Sequence, residues 1–264
     1  MKTIPVIDRS ELLETEENEQ ILKILKNDDL FNQFQKRIQF SKSLHELGFL
    51  EKESTVWNIG CGTGGEEPLI FSMFGKAQIY GIDKNLKDEH SEYVHLRKGK
   101  IEDIIKEYET PQPDLILARR VSGVHRAIEE LLSLESQPIM VLRLCDCKTC
   151  NSIYFTEEDR IRSEKYRGLI NTKDRWGLDL SEMVDRRRIQ KVADKKDIIT
   201  GMSLPYNRFV NPTEVVIMDI QSLIDEQHPN YRCIIHKETL LLFPEDQKVK
   251  ANTLINPIIE YFQK

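Results

Sequence analysis

The sequence predicts an α/β fold: a mostly parallel sheet of seven strands, preceded by helices and interrupted by a helical insertion after strand 5. Three observations predict it. Val56 to Asp83 reads as strand, glycine-dense turn, helix and strand, which is one βαβ unit. From Tyr93 to Cys145, short β-prone runs keep alternating with helix-period segments, the pattern of a parallel sheet. After Cys145 the alternation stops, and it resumes only as a closing hairpin at Tyr231 to Phe243.

Composition frames the elements. With 264 residues and 39% hydrophobic content the chain can bury a full core. No window is long and apolar enough to span a bilayer, and Met1-Lys2-Thr3-Ile4-Pro5 has no signal-peptide core. Five cysteines, an odd number and partly clustered, fit a reducing cytosol, so a cytoplasmic location is expected. A net charge of −6 argues against whole-surface attraction to nucleic acid.

Residues 1–55 read as a helical extension. Glu11 to Lys26 begins acidic and ends basic, matching a helix dipole, with Ile21, Leu22 and Leu25 as its apolar stripe. Asp28 or Asp29 caps a second helix, in which Phe31, Phe34, Ile38, Ser41, Leu44 and Leu47 recur until Gly48 stops it. These aromatics read as core contacts; a cleft-lining role for Phe34 or Phe40 is the sharper alternative.

The main domain spans 56–264. Its first strand runs into Ile59-Gly60-Cys61-Gly62-Thr63-Gly64-Gly65, where a strand turning abruptly into a helix needs residues tolerant of positive φ, and where a ligand can approach bare backbone. Asp83 closes the second strand, placed to accept hydrogen bonds from ribose hydroxyls. Gly60, Gly62 and Gly65 satisfy G-x-G-x-x-G, so a dinucleotide is formally allowed. Against it, Glu66 and Glu67 put two carboxylates where a pyrophosphate would need the helix N-terminus. A cationic nucleoside ligand suits that setting better.

These residues, with Gly81-Ile82-Asp83, resemble the donor-binding signature of class I S-adenosylmethionine-dependent methyltransferases, over roughly Val56 to Cys145. The resemblance implies a Rossmann-like sheet, S-adenosyl-L-methionine as cofactor, and contacts to it from Asn58, Gly60, Cys61, Gly62, Gly64, Asp83, Lys84, Ile101, Glu102 and Ala118. Asn58 departs from the acid more frequent in that family. Gly99-Lys100-Ile101-Glu102-Asp103 departs from its frequent Gly-Asp, which leaves adenine recognition to the Ile101 backbone and to Glu102 or Asp103.

Further on, Tyr93 to Leu96 is the third strand, Ile101 to Tyr108 a short helix, Pro111-Gln112-Pro113 a break and Asp114 to Ala118 a buried fourth strand. That strand delivers Arg119 and Arg120 to the carboxyl edge of the sheet, where open α/β sheets bind ligands. Arg119 is a candidate to orient an anionic substrate. His125, opening a helix from Val124 to Leu134, is the candidate general base. No Asp/Asn-Pro-Pro-Tyr/Phe element follows this strand, although family members that methylate exocyclic amines often carry one there.

Strand five, Pro138 to Cys145, leads into Cys145-Asp146-Cys147-Lys148-Thr149-Cys150. Three thiolates are enough to begin a zinc or iron–sulfur site, yet no clear second ligand pair follows, so no metal is expected. Residues 148–212 read as an inserted helical lid over the ligand edge. Its 148–200 part holds 13 Lys or Arg against 10 Asp or Glu, and Tyr166, Trp176 and Tyr206 add stacking surfaces. The acceptor is then a small molecule or an RNA nucleotide. Thr213 to Glu226 reads as a helix, and Ile255 to Phe262 as a last amphipathic one. Competing readings are a donor-binding protein without catalysis and an NAD-dependent oxidoreductase.

Overall fold

A computed structural model describes residues 7–16, 18–106, 111–119, 127–143, 220, 223–236 and 239–262. Helices α1 (Arg9–Thr15), α2 (Glu19–Lys26) and α3 (Asp28–Glu46) precede β1 (Thr55–Ile59), α4 (Glu66–Ser72), β2 (Gln78–Asp83), β3 (Glu89–His90), β4 (Val94–Lys98) and α5 (Ile101–Ile104). Then follow β5 (Leu115–Arg119), α6 (Ile128–Leu132), β6 (Ile139–Arg143), β7 (Tyr231–His236), β8 (Thr239–Pro244) and α7 (Lys248–Phe262). The strands hydrogen-bond in the order β3-β4-β2-β1-β5-β6-β8-β7, a mixed sheet of eight. The eighth, absent from the sequence reading, is the two-residue β3, which pairs Glu89 with Leu96 and His90 with His95 against β4.

Two compact units emerge, one within Met1–Leu117, Leu134–Ile139 and Asp246–Lys264, the other within Ala118–Ser133 and Met140–Glu245. In the first, β1 pairs parallel with β2, and β2 with β4. All five β1 residues are buried, as a central parallel strand requires. In the second, β8 pairs antiparallel with β6 and β7. Every β8 residue is buried, whereas β7 alternates.

The expected helix over Glu11 to Lys26 is instead two. Asn18 breaks it, because its side chain accepts the backbone N–H groups of Gln20 and Ile21 and caps α2. Likewise Asn27, not Asp28 or Asp29, caps α3 through the Leu30 N–H, at 3.0 Å. Gly48 ends α3 as expected: at φ +74° its N–H bonds the His45 carbonyl, and the Phe49 N–H bonds that of Leu44. That pair of bonds is a Schellman motif, which only a left-handed residue closes.

Ile21, Ile24, Leu25, Phe34, Ile38 and Ile70 form one core, so the N-terminal helices pack on α4. Phe40, 3% exposed, stacks on Tyr261 of α7 with centroids 4.3 Å apart and meets Phe71 edge-on. Phe34 and Phe40 are thus core residues. The last helix begins at Lys248, seven residues before the expected Ile255, and passes through Pro257. Its buried residues Ala251, Leu254, Ile258 and Tyr261 continue a single stripe across the proline.

Other expected elements agree within their described parts. The Tyr93 to Leu96 strand is β4, and Ile220 with residues 223–227 is helical; of the expected 101–108 helix, however, only Ile101–Ile104 is helical, as α5, residues 105 and 106 form a turn, and 107 and 108 lie outside the described residues. Of the helix expected from Val124, α6 is the described part. The lid at 148–212, Cys145, Cys147 and Cys150 lie outside the described residues. Among the described residues no helix is long and apolar enough to cross a membrane.

Two substitutions rank these contacts. Phe40→Ala removes a buried ring and its partner, and is expected to cost about 3–5 kcal/mol. Gly48→Ala only forces a Cβ into a left-handed position with open space around it, at about 1–2 kcal/mol. Urea unfolding of the two variants checks the order.

Candidate functional site

The glycine turn begins where β1 ends. The Gly60 N–H bonds the Ile82 carbonyl at 2.7 Å, joining the exit of β1 to β2. Gly60, Gly62 and Gly65 all have positive φ, at 72°, 90° and 66°. The Gly62 N–H donates to Asp83 Oδ2 at 3.2 Å, and the Asn85 N–H donates to Asp83 Oδ1 at 2.9 Å. A carboxylate accepts about four hydrogen bonds, so each Asp83 oxygen keeps capacity for a ligand hydroxyl. The turn and the acid are therefore one local assembly, as the sequence spacing implied.

What surrounds each glycine differs. A Cβ at Gly62 would meet nothing within 4 Å, so bare left-handed backbone faces open space there. At Gly64 it would collide with the Glu66 carboxylate, which covers that residue. At Gly65 it would meet Leu96 Cδ1 at 2.5 Å, and at Gly81 it would meet Pro68 Cγ at 2.6 Å and Cys61 Sγ at 3.2 Å. Gly65 and Gly81 thus serve packing. Gly62 is the one of these four whose missing side chain leaves room for a ligand.

The two glutamates opening α4 do not act alike. Glu67, 5% exposed, takes a hydrogen bond from Asn58 Nδ2 at 3.2 Å and an ion pair from Arg37 Nε at 3.2 Å. One of the two charges weighed against a pyrophosphate is therefore offset by a cation from α3, a partner the sequence reading missed. Nothing in the spacing of residues 30 apart signals such a pair. Asn58 itself is 1% exposed, and its Oδ1 has no hydrogen-bond partner among the described residues.

The local field stays negative all the same. The half-buried Cys61 thiol is pushed up to about 12, first by burial and then by the carboxylates of Asp83, Glu67 and Glu66. Burial disfavours either charge, but the part contributed by the three carboxylates favours a cation.

The remaining expected contacts spread out. Lys84 is exposed beside Asp83. Ile101 opens α5, is 4% exposed and is followed in the helix by Glu102; the Gly99 N–H before it bonds the Asp83 carbonyl at 3.3 Å. Ala118, buried, and Arg119, half-buried, end β5 and fall in the second unit. Arg120 and His125 lie outside the described residues. Among the described residues no group of three His, Cys, Asp or Glu side chains is disposed to hold a metal ion.

No protein-family model and no curated protein sequence matches the chain. Among solved structures, it is similar to a candidate S-adenosyl-L-methionine-dependent methyltransferase of Methanococcus maripaludis, at 14% identity and TM-score 0.41, covering 92% of this chain and 95% of that one. It is also similar to the plantazolicin methyltransferase BamL, solved with SAH and a triazolic desmethylPZN analog, at 14% identity and TM-score 0.34, covering 89% and 92%. A third is a candidate zinc-dependent alcohol dehydrogenase of Rhodobacter sphaeroides, at 14% identity and TM-score 0.34, covering 89% and 97%. Both chemistries appear at these scores, so the functional reading rests on the glycine turn itself.

The field at Cys61 is directly measurable. Ordinary thiols are about half ionised near pH 8.5. Site-resolved alkylation should leave Cys61 of the folded protein nearly unlabelled there, with its rate climbing only as the pH approaches its value of about 12. Asp83→Asn removes one of the carboxylates and should move that rise to lower pH. Full labelling of folded protein at pH 8.5 contradicts the acidic field.

Proposed function

We propose that the chain is an S-adenosylmethionine-dependent methyltransferase of the cytoplasm. The observation that carries this reading is the open left-handed backbone of Gly62, bonded at 3.2 Å to the carboxylate that ends the next strand. The acidic surroundings that raise Cys61 support a cationic ligand over a pyrophosphate.

S-adenosylmethionine supplies a sulfonium whose methyl group is already reactive, so the protein's work is placement. Gly60 and Gly62 give backbone against which the methionine portion can lie, and Gly64 does so where the Glu66 carboxylate that covers it turns aside. Asp83 accepts from the ribose hydroxyls, with Cys61 and Lys84 flanking, and Asn58 supports the turn from β1. Ile101 and Glu102 meet the adenine, and Ala118 lines the cofactor side of β5. Arg119 orients the acceptor and His125 removes its proton where the acceptor atom is protonated. In this reading residues 56–264 are the catalytic domain, 1–55 its helical extension and 148–212 its lid. The acceptor is a small molecule or an RNA nucleotide.

Calorimetry with S-adenosylmethionine, its demethylated product and NAD tests the cofactor. Binding of the first two without NAD is expected; binding of NAD alone selects an oxidoreductase. Gly62→Ala places a methyl group in the ligand's space, and Asp83→Ala removes the ribose acceptor. Each should weaken donor binding by about tenfold or more, since one tenfold step is only about 1.4 kcal/mol. Transfer of radiolabel to RNA or metabolite fractions then separates an enzyme from a donor-binding protein.

A further inference from the structure

The turn between Gly60 and Glu66 is tied to β2 at its near end, by the Gly60 N–H on the Ile82 carbonyl and the Gly62 N–H on Asp83. Its far end has to be fixed through α4, and that helix is poorly fixed by its own start: its N-cap is Gly65, left-handed and without a side-chain cap bond. At only seven residues, α4 also has little intrinsic stability.

Glu67 supplies the missing attachment. Second in α4, it reaches Asn58 on β1 through Oε1 and Arg37 on α3 through Oε2, both at 3.2 Å. Its side chain is 6% exposed and that of Arg37 24%, so the ion pair sits at the margin of the core. Arg37 is in turn held with its guanidinium carbon 4.6 Å from the centre of the Phe34 ring. A carboxylate buried this far keeps its place only while a cation compensates it; without one it protonates or turns out to water.

We propose that Arg37 is a positioning residue of the cofactor site, keeping Glu67 buried against Asn58 and so fixing the far end of the glycine turn. The inference rests on the donor-binding reading for its affinity measurement, but not for its structural one. Among the described residues Arg37 pairs with Glu67 and lies over the Phe34 ring, so its hold on the turn runs through Glu67.

The experiment compares wild type, Arg37→Met, Glu67→Gln and the double variant Arg37→Met/Glu67→Gln. The readouts are calorimetric affinity for S-adenosylmethionine and the Gly62 amide resonance of ligand-free protein. Arg37→Met should weaken binding by about tenfold or more, because small misplacements at a site cost on that scale. It should also displace the Gly62 resonance. The neutral glutamine needs no cation, so Glu67→Gln and the double variant should both lie near wild type. Should Arg37→Met not fold, Arg37→Gln, which is polar but carries no charge to compensate Glu67, is read in its place. A folded variant at position 37 with wild-type affinity and an unmoved Gly62 signal overturns the proposal. So does a double variant as impaired as the single one. Wild-type protein that binds no S-adenosylmethionine defeats the donor reading alone, and the Gly62 signal still decides the role of Arg37.

Discussion

The hydrogen bond between the Gly62 amide and the Asp83 carboxylate is the contact on which the site depends. It connects the first residues after β1 to the last residue of β2, strands already in register from Thr55 and Gln78 to Ile59 and Ile82. Sheet pairing brings the two strand ends together. The bond fixes the acid beside the bare backbone of Gly62, which faces open space. Gly81 lets α4 and the Cys61 thiol close over β2, since any side chain there would meet Pro68, Leu96 and the sulfur.

Charge in this region is distributed by depth. Glu67 is buried and compensated by Arg37, so it acts on structure. Glu66 and Asp83 are half-buried and act outward, on whatever occupies the turn. Three acids within a few residues of one another in space would be costly if all were buried. Giving one of them a cation from a helix upstream lets the other two stay available to a ligand.

The βαβ unit was legible because its signals are local: glycines at positive φ, a strand-ending acid and an apolar period in α4. The N-terminal break was not, because Glu16 to Asn18 continue a helical pattern, and only the cap bonds of Asn18 show that the chain restarts there. Asn27 was passed over for its acidic neighbours, although an amide caps as well as a carboxylate. The true start of α7 was obscured by Pro257, which reads as a boundary, while the stripe Ala251, Leu254, Ile258 and Tyr261 runs straight past it. Strand β3 is two residues long and exposed, so it has no hydrophobic signature to read. Arg37 and Glu67 are far apart in sequence, and a pairing of that kind is specified by packing of α3 on α4 rather than by any pattern in either helix.

The stacking of Phe40 on Tyr261 makes the first unit's core depend on residues far apart in the sequence. A growing polypeptide emerges from the ribosome with α3 long before α7 exists. Until α7 is synthesised, Phe40 lacks its stacking partner and stays open to solvent or to other chains. This core is consequently completed only once α7 has been made, and intermediates of synthesis that precede it carry the exposed surface that chaperones recognise.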